Sequence, residues 1–155
     1  MTPQEDEQEK TIATNRKARH DYSILETVEA GLVLRGAEVK SLRQGNASLV
    51  DGYASIKGGE GWLIGVHINP YEYGSILDHD PLRPRKLLLH KKEIRKLFGR
   101  LSERGLTVIP LKLYFKNGVA KVLLGVARGK KQHDKRQDIS RRDAERAIRQ
   151  RMARE

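Results

Sequence analysis

Apolar residues recur at every second position through most of the central part of this chain, which two helical segments interrupt. Tyr22 to Leu34 (YSILETVEAGLVL), Leu49 to Lys57, Trp62 to Ile68, Thr107 to Phe115 and Val119 to Val126 carry the strand pattern. Gly31 interrupts the first run, which marks a bulge or a point of close backbone approach. Gly58-Gly59-Glu60-Gly61 and Asn117-Gly118 supply the positive φ angles of tight hairpins, so the strands they join are antiparallel. The helical segments are Gly36 to Arg43, with Glu38 early, Lys40 and Arg43 late and Gly45 just beyond, and a segment from about Lys91 to near Gly105. In the second, Ile94, Leu97, Phe98 and Leu101 share one face. Asn69 to Pro81 is a loop by composition. Short antiparallel strands with two helices predict a mainly-β fold, a small antiparallel β-barrel of oligonucleotide-binding type with flanking helices.

The ends break the pattern. Residues 1–14 hold Glu5, Asp6, Glu7 and Glu9 with few apolar groups, and are expected to be a disordered acidic tail. Asn15 to His20 (NRKARH) reverses the charge and opens a folded domain expected over 15–128. At Gly125 to Arg136 (GVARGKKQHDKR) a strand runs into a basic segment, and residues 129–155 form a basic C-terminal arm. Within it Ser140 and Asp143 have capping-box spacing, Glu145 and Arg149 pair at (i, i+4), and Ile139, Ala144, Ala147, Ile148 and Met152 make a thin apolar stripe. Such a helix is marginal alone in water, so the arm is expected to be disordered when free and helical against an anionic surface.

Composition sharpens this picture. At 155 residues the chain is long enough for one domain that buries roughly two-thirds of its unfolded surface. An apolar fraction of 37% and a charged fraction of 33% imply a small core with solvated ends. The net charge of +11 draws polyanions, nucleic acid first and anionic membrane second. There is no apolar run of membrane-spanning length and the N-terminal residues are acidic, so secretion and membrane insertion lack support. The absence of cysteine excludes disulfides and thiolate metal sites and fits a reducing cytoplasm.

Several candidates for chemistry follow. In Gly129 to Arg136, Lys130, Lys131, Lys135 and Arg136 suit phosphates and His133 offers a stackable ring, as in single-stranded RNA binding, although a solvated charged tail has the same composition. Arg83 to Gly105 holds nine Lys/Arg against Glu93 and Glu103, either an RNA face or a solvated one. Lys121 lies on the strand face opposite Val122, Leu124 and Val126, where its neighbours along the strand, Val119 and Leu123, are not acids; such a cation suits a phosphate. Glu38-Val39-Lys40 with Glu29 upstream admits a metal-dependent nuclease, weakened by the helical pattern of the segment and by the lack of a second reliable acidic ligand. His133 beside Asp134 has no nucleophile placed with it. His20, His67, His79 and His90 lack ligand spacing, so no metal site is expected. Trp62 and Phe98 suit the core, and Tyr114 suits either the core or a base platform.

Taken together, NRKARHDY, EAGLVLRGAEVKSLRQG, RPRKLLLHKKEI, TVIPLKLYFKNG and GVARGKKQHDKR occur in the order and register of the small protein B (SmpB) family, which the chain resembles from about Thr11 to Arg146. The resemblance implies an oligonucleotide-binding type barrel without catalysis or cofactor. It implies binding to the elbow and D-arm of the tRNA-like part of transfer-messenger RNA (tmRNA, SsrA), and delivery of that RNA to stalled ribosomes for trans-translation, with peptide tagging and ribosome release. The partners implied are tmRNA, the small-subunit RNA with its decoding centre and messenger channel, and elongation factor Tu through the charged RNA. By position, Glu29, Leu88 and Lys121 match family residues that hold the RNA, and Gly129, Lys130 and Lys131 match the basic motif at the barrel's exit. His133, Asp134, Lys135 and Arg136 match the segment that enters the decoding centre, where the arm becomes helical in an empty messenger channel. The rivals from other classes are the nuclease and a general structural ribosomal protein.

Overall fold

Alternation of apolar residues builds the body of the molecule, and a register slip in one long strand decides which of its side chains end up outside. A computed structural model describes residues 8–71 and 80–130. In chain order the elements are β1 (Glu9–Thr14), α1 (Arg16–Asp21), β2 (Tyr22–Leu32), α2 (Gly36–Arg43), β3 (Ala47–Ser48), β4 (Tyr53–Lys57), β5 (Glu60–Ile64), β6 (His67–Ile68), β7 (Arg85–Leu88), α3 (Lys91–Ser102), β8 (Leu106–Lys116) and β9 (Val119–Gly129). Seven strands form one antiparallel sheet in the order β1-β8-β9-β2-β7-β5-β4, and β3 pairs with β6 separately. The sheet curls until β4, at one edge, packs on β8, which gives the expected small barrel of oligonucleotide-binding type.

Both hairpins expected from turn chemistry are present. Gly58 and Gly59, at φ 62° and 74°, join β4 to β5, while Asn117 and Gly118, at φ 51° and 80°, join β8 to β9. The main core holds Leu42, Leu63, Ile68, Leu87, Leu97, Leu113, Val122 and Leu124. Along β8 the expected single apolar face does not exist. The pairing slips between Pro110 and Lys112, as suits a proline that has no N–H for the ladder. Ile109 and Leu111 therefore pack outside the barrel with Ala18 and Ala127, whereas Leu113 and Phe115 enter the main core. The same slip turns Lys112, Tyr114 and Lys116 outward.

Helix α1 was not foreseen from the sequence. Asn15 caps it by accepting from the Ala18 N–H at 3.2 Å, and its Nδ2 donates to the carbonyls of Pro110 (3.0 Å) and Leu49 (3.2 Å). The Asn15 N–H also donates to the Leu111 carbonyl at 2.8 Å, so the bulge is satisfied by the cap. The proposed disordered tail over 1–14 is corrected in its second half. Glu9 to Thr14 pair with β8 from Lys116 to Lys112, because β8 has a second ladder edge to satisfy and Ile12 and Ala13 have core to cover. Phe98 is 59% exposed and not core; Leu97 occupies the buried stripe of α3. The arm helix with Ser140 and Asp143 lies outside the described residues. No helix among the described residues is long and apolar enough to cross a membrane.

Candidate nucleic-acid interface

Helix α1 covers only one end of the outer sheet face, over Ile109, Leu111 and Ala127. Beyond it the outward positions become polar. One register row crosses five adjacent strands as Thr11, Tyr114, Lys121, Gly31 and Leu88, and the next carries Lys112, Leu123 and Glu29. Paired residues point to the same side of a sheet, so these rows bring Glu29, Lys121 and Leu88 together from β2, β9 and β7. They line an open groove of about 420 Å³ with Gly31, Leu89, His90 and Glu93. Gly31 acts by close approach rather than as a bulge: a Cβ there would lie 3.2 Å from Cβ of Leu88.

The charges in the groove are ordered. Tyr114 donates its hydroxyl to Oε2 of Glu29, and Lys116 Nζ lies 3.6 Å from Oε1. The Tyr114 hydrogen bond holds the Glu29 carboxyl below its ordinary value; burial opposes this, and Lys116 and Lys121 reinforce it. Burial, followed by the ionised Glu29, pushes the Tyr114 phenol far up, so it stays a donor. Lys112 stacks over the Tyr114 ring at 4.8 Å and pairs with Glu9 at 3.2 Å. Lys121 thus has an acid nearby, which the order of residues along its own strand concealed. Leu88, the middle of three consecutive leucines, is 54% exposed, while Leu87 beside it is buried.

Gly129 and Lys130 are elsewhere. Gly129 pairs with Tyr22, and the Lys130 N–H donates to the Asp21 carbonyl at 3.0 Å, fixing the end of β9 beside α1. Eight residues of strand, about 26 Å, separate Gly129 from Lys121. Lys131, His133, Asp134, Lys135 and Arg136 lie outside the described residues. On α3, Lys96 and Arg100 each reach Glu26 at 2.9 Å, so part of its basic face is spent within the molecule.

The nuclease constellation is not assembled. Glu38, 3% exposed, caps α2 by accepting from the Arg35 N–H at 2.8 Å and from Arg85 Nε at 2.8 Å, with Arg83 on its Oε1. Burial pushes its carboxyl up, but the Arg35 N–H and the two guanidiniums outweigh this and hold it below its ordinary value. Its oxygens are therefore engaged by donors, and Glu29 has different partners. Among the described residues no group of three or more His, Cys, Asp or Glu is placed to hold a metal ion.

A basic antiparallel barrel with an ordered carboxylate, an adjacent lysine and an exposed leucine on its outer face is of the nucleic-acid-binding class. Comparison with known proteins narrows this: the family described as SmpB protein matches residues 12–154, and the chain belongs to that family. The SsrA-binding protein of Enterococcus faecalis is 61% identical over 139 residues, covering 90% of each chain. That of Desulforudis audaxviator is 60% identical over 142 residues, 92% of this chain and 93% of the relative. A chain in the solved structure described as "tmRNA-SmpB: a journey to the center of the bacterial ribosome" superposes with a TM-score of 0.66 at 55% identity, over 77% of this chain and 85% of that one.

Proposed function

We propose that this protein is an RNA-binding adaptor that binds the tRNA-like domain of tmRNA and brings it to stalled ribosomes for trans-translation. One observation carries the site assignment: Glu29, Leu88 and Lys121, distant in sequence, meet in a single groove. In this reading Lys121 meets a phosphate, Leu88 covers an apolar face of a base or sugar, and Glu29 accepts from base N–H groups. Gly129, Lys130 and Lys131 form a second RNA contact at the root of the arm. His133, Asp134, Lys135 and Arg136 act in the decoding centre once the arm has entered an empty messenger channel. The protein performs no chemistry itself, works in the cytoplasm, and meets elongation factor Tu through the charged RNA.

The test is recovery of RNA with tagged protein from its native cells under a salt titration, since nonspecific polyanion binding is lost first. A single enriched RNA with a tRNA-like acceptor end is expected. A broad mixture released at moderate salt would overturn the assignment.

A further inference from the structure

Glu29 and Lys121 are opposite charges on neighbouring strands in one open groove, and the simplest outcome would be for them to neutralise each other. They do not meet. Among the described residues the Lys121 side chain makes no ion pair or hydrogen bond, although its charge acts on Glu29. What keeps the carboxylate away lies on the far side of β9: the Tyr114 hydroxyl, reaching from β8 across the intervening strand, takes Oε2, and Lys116 from the same strand approaches Oε1. Tyr114 is well placed to hold its position. It is 3% exposed, Lys112 lies over its ring, and Lys112 is in turn paired with Glu9 of β1.

We infer that Tyr114 is a positioning residue for RNA binding, which tethers Glu29 toward β8 so that Lys121 remains available to a phosphate and the carboxylate keeps a fixed direction for base N–H groups. This rests on the groove assignment made above. A carboxylate held by a hydroxyl donor stays ionised, and Lys116 near Oε1 draws it toward the same strand. Without the tether, Glu29 would swing to Lys121, and each would be lost to the ligand. The groups facing Glu29 are Tyr114 and Lys116 from β8, Lys121 from β9, and His90 and Glu93 across the groove at the start of α3.

The test is a double-mutant cycle on the full chain, binding a transcript of the tRNA-like domain across a range of salt. Tyr114→Phe keeps the ring and removes only the hydroxyl, and is expected to weaken binding about tenfold, the value of one hydrogen bond to a charged group. The slope of log K against log salt should become shallower by about one, because one phosphate contact is lost. In a Glu29→Gln background the same change should cost almost nothing, since there is no carboxylate left to swing. A Tyr114→Phe variant that binds like the parent, or whose loss adds in full to that of Glu29→Gln, overturns the inference. Parental binding by Glu29→Gln alone overturns the groove assignment instead. A carbon-13 titration of the Glu29 carboxyl in the unaltered protein needs no variant: titration at the ordinary carboxylate value would show that no tether exists.

Discussion

Glu38 and Glu29 are each surrounded by cations, yet one is part of the interior and the other part of a surface for a partner. Around Glu38, the donors of Arg35, Arg83 and Arg85 close on the carboxylate, and Arg85 spends its remaining donors on the carbonyls of Val66 and Pro81. Around Glu29 the neutral donor Tyr114 and the more distant Lys116 reach from β8 across β9, while Lys121 on β9 itself lines the groove without pairing. A closed set of charges has nothing left to offer a ligand, and an incompletely closed one does. The difference is therefore one of satisfaction rather than charge count.

The largest effect that would test this contrast is on the closed cluster. Glu38→Gln leaves Arg85, 1% exposed, as a buried cation without its counter-charge. It should cost about 3–5 kcal/mol of stability, a fall of roughly 10 °C or more in Tm. The cost should be insensitive to salt, because the pair is shielded from solvent. RNA binding measured below the new Tm should be nearly unchanged. A loss of RNA affinity with unchanged Tm would invert the roles assigned to the two clusters.

Acid provides a second separation with a defined sign. Glu38 has a folded pKa below its ordinary 4.5, so its stabilisation is complete above that value and is lost as pH falls through the lowered folded value. The stability gap between the parent and Glu38→Gln should be constant from neutral pH down to about 5 and narrow below 4.5. Chemical denaturation at several pH values reads it directly. A gap that widened in acid would mean that Glu38 is protonated in the folded protein.

On the open side, Lys121→Met should weaken binding of the tRNA-like domain by about tenfold at low salt and much less at high salt. Its effect on Tm should be within experimental scatter, since a partly exposed lysine without an ion pair contributes little. A large loss of stability with salt-independent binding would place Lys121 in the structural set.

Which cluster was which could be read from the sequence only in part. Strand alternation, the Asn117-Gly118 turn and the α3 periodicity gave the barrel, because each depends on residues close together in the chain. The slip at Pro110 did not show, since a bulge alters the register of everything after it while leaving the apolar alternation intact. That slip is what sends Tyr114 outward to Glu29, so the tether was invisible even though Lys112, Tyr114 and Lys116 occupy every second position. Helix α1 escaped for another reason: NRKARH has almost no apolar periodicity, and its cap is secured by carbonyls some 34 and 95 residues away. As RNA contacts, Glu29 and Leu88 came from the family resemblance alone. Nothing local marks a leucine in Leu87-Leu88-Leu89 as the exposed one until β7 pairs with β2 and fixes which face each leucine takes.

The smallest expected effect probes the seam of the groove itself. In Gly31→Ala the new Cβ would sit 3.2 Å from Cβ and 3.3 Å from Cδ1 of Leu88, closer than ordinary contact but not a collision with backbone. Exposed Leu88 can turn Cδ1 away, but its Cβ yields only with a small shift of the β7 backbone, so stability should fall by about 1 kcal/mol. The groove responds differently, because Leu88 forms its wall opposite Lys121. Displacing that wall should weaken the RNA a few-fold while leaving the salt slope intact, since no cation has been removed. A Gly31→Ala loss that instead flattens the slope would mean that the alanine acts through Lys121, its register partner on the other side, and that the apolar and cationic walls of the groove move as one.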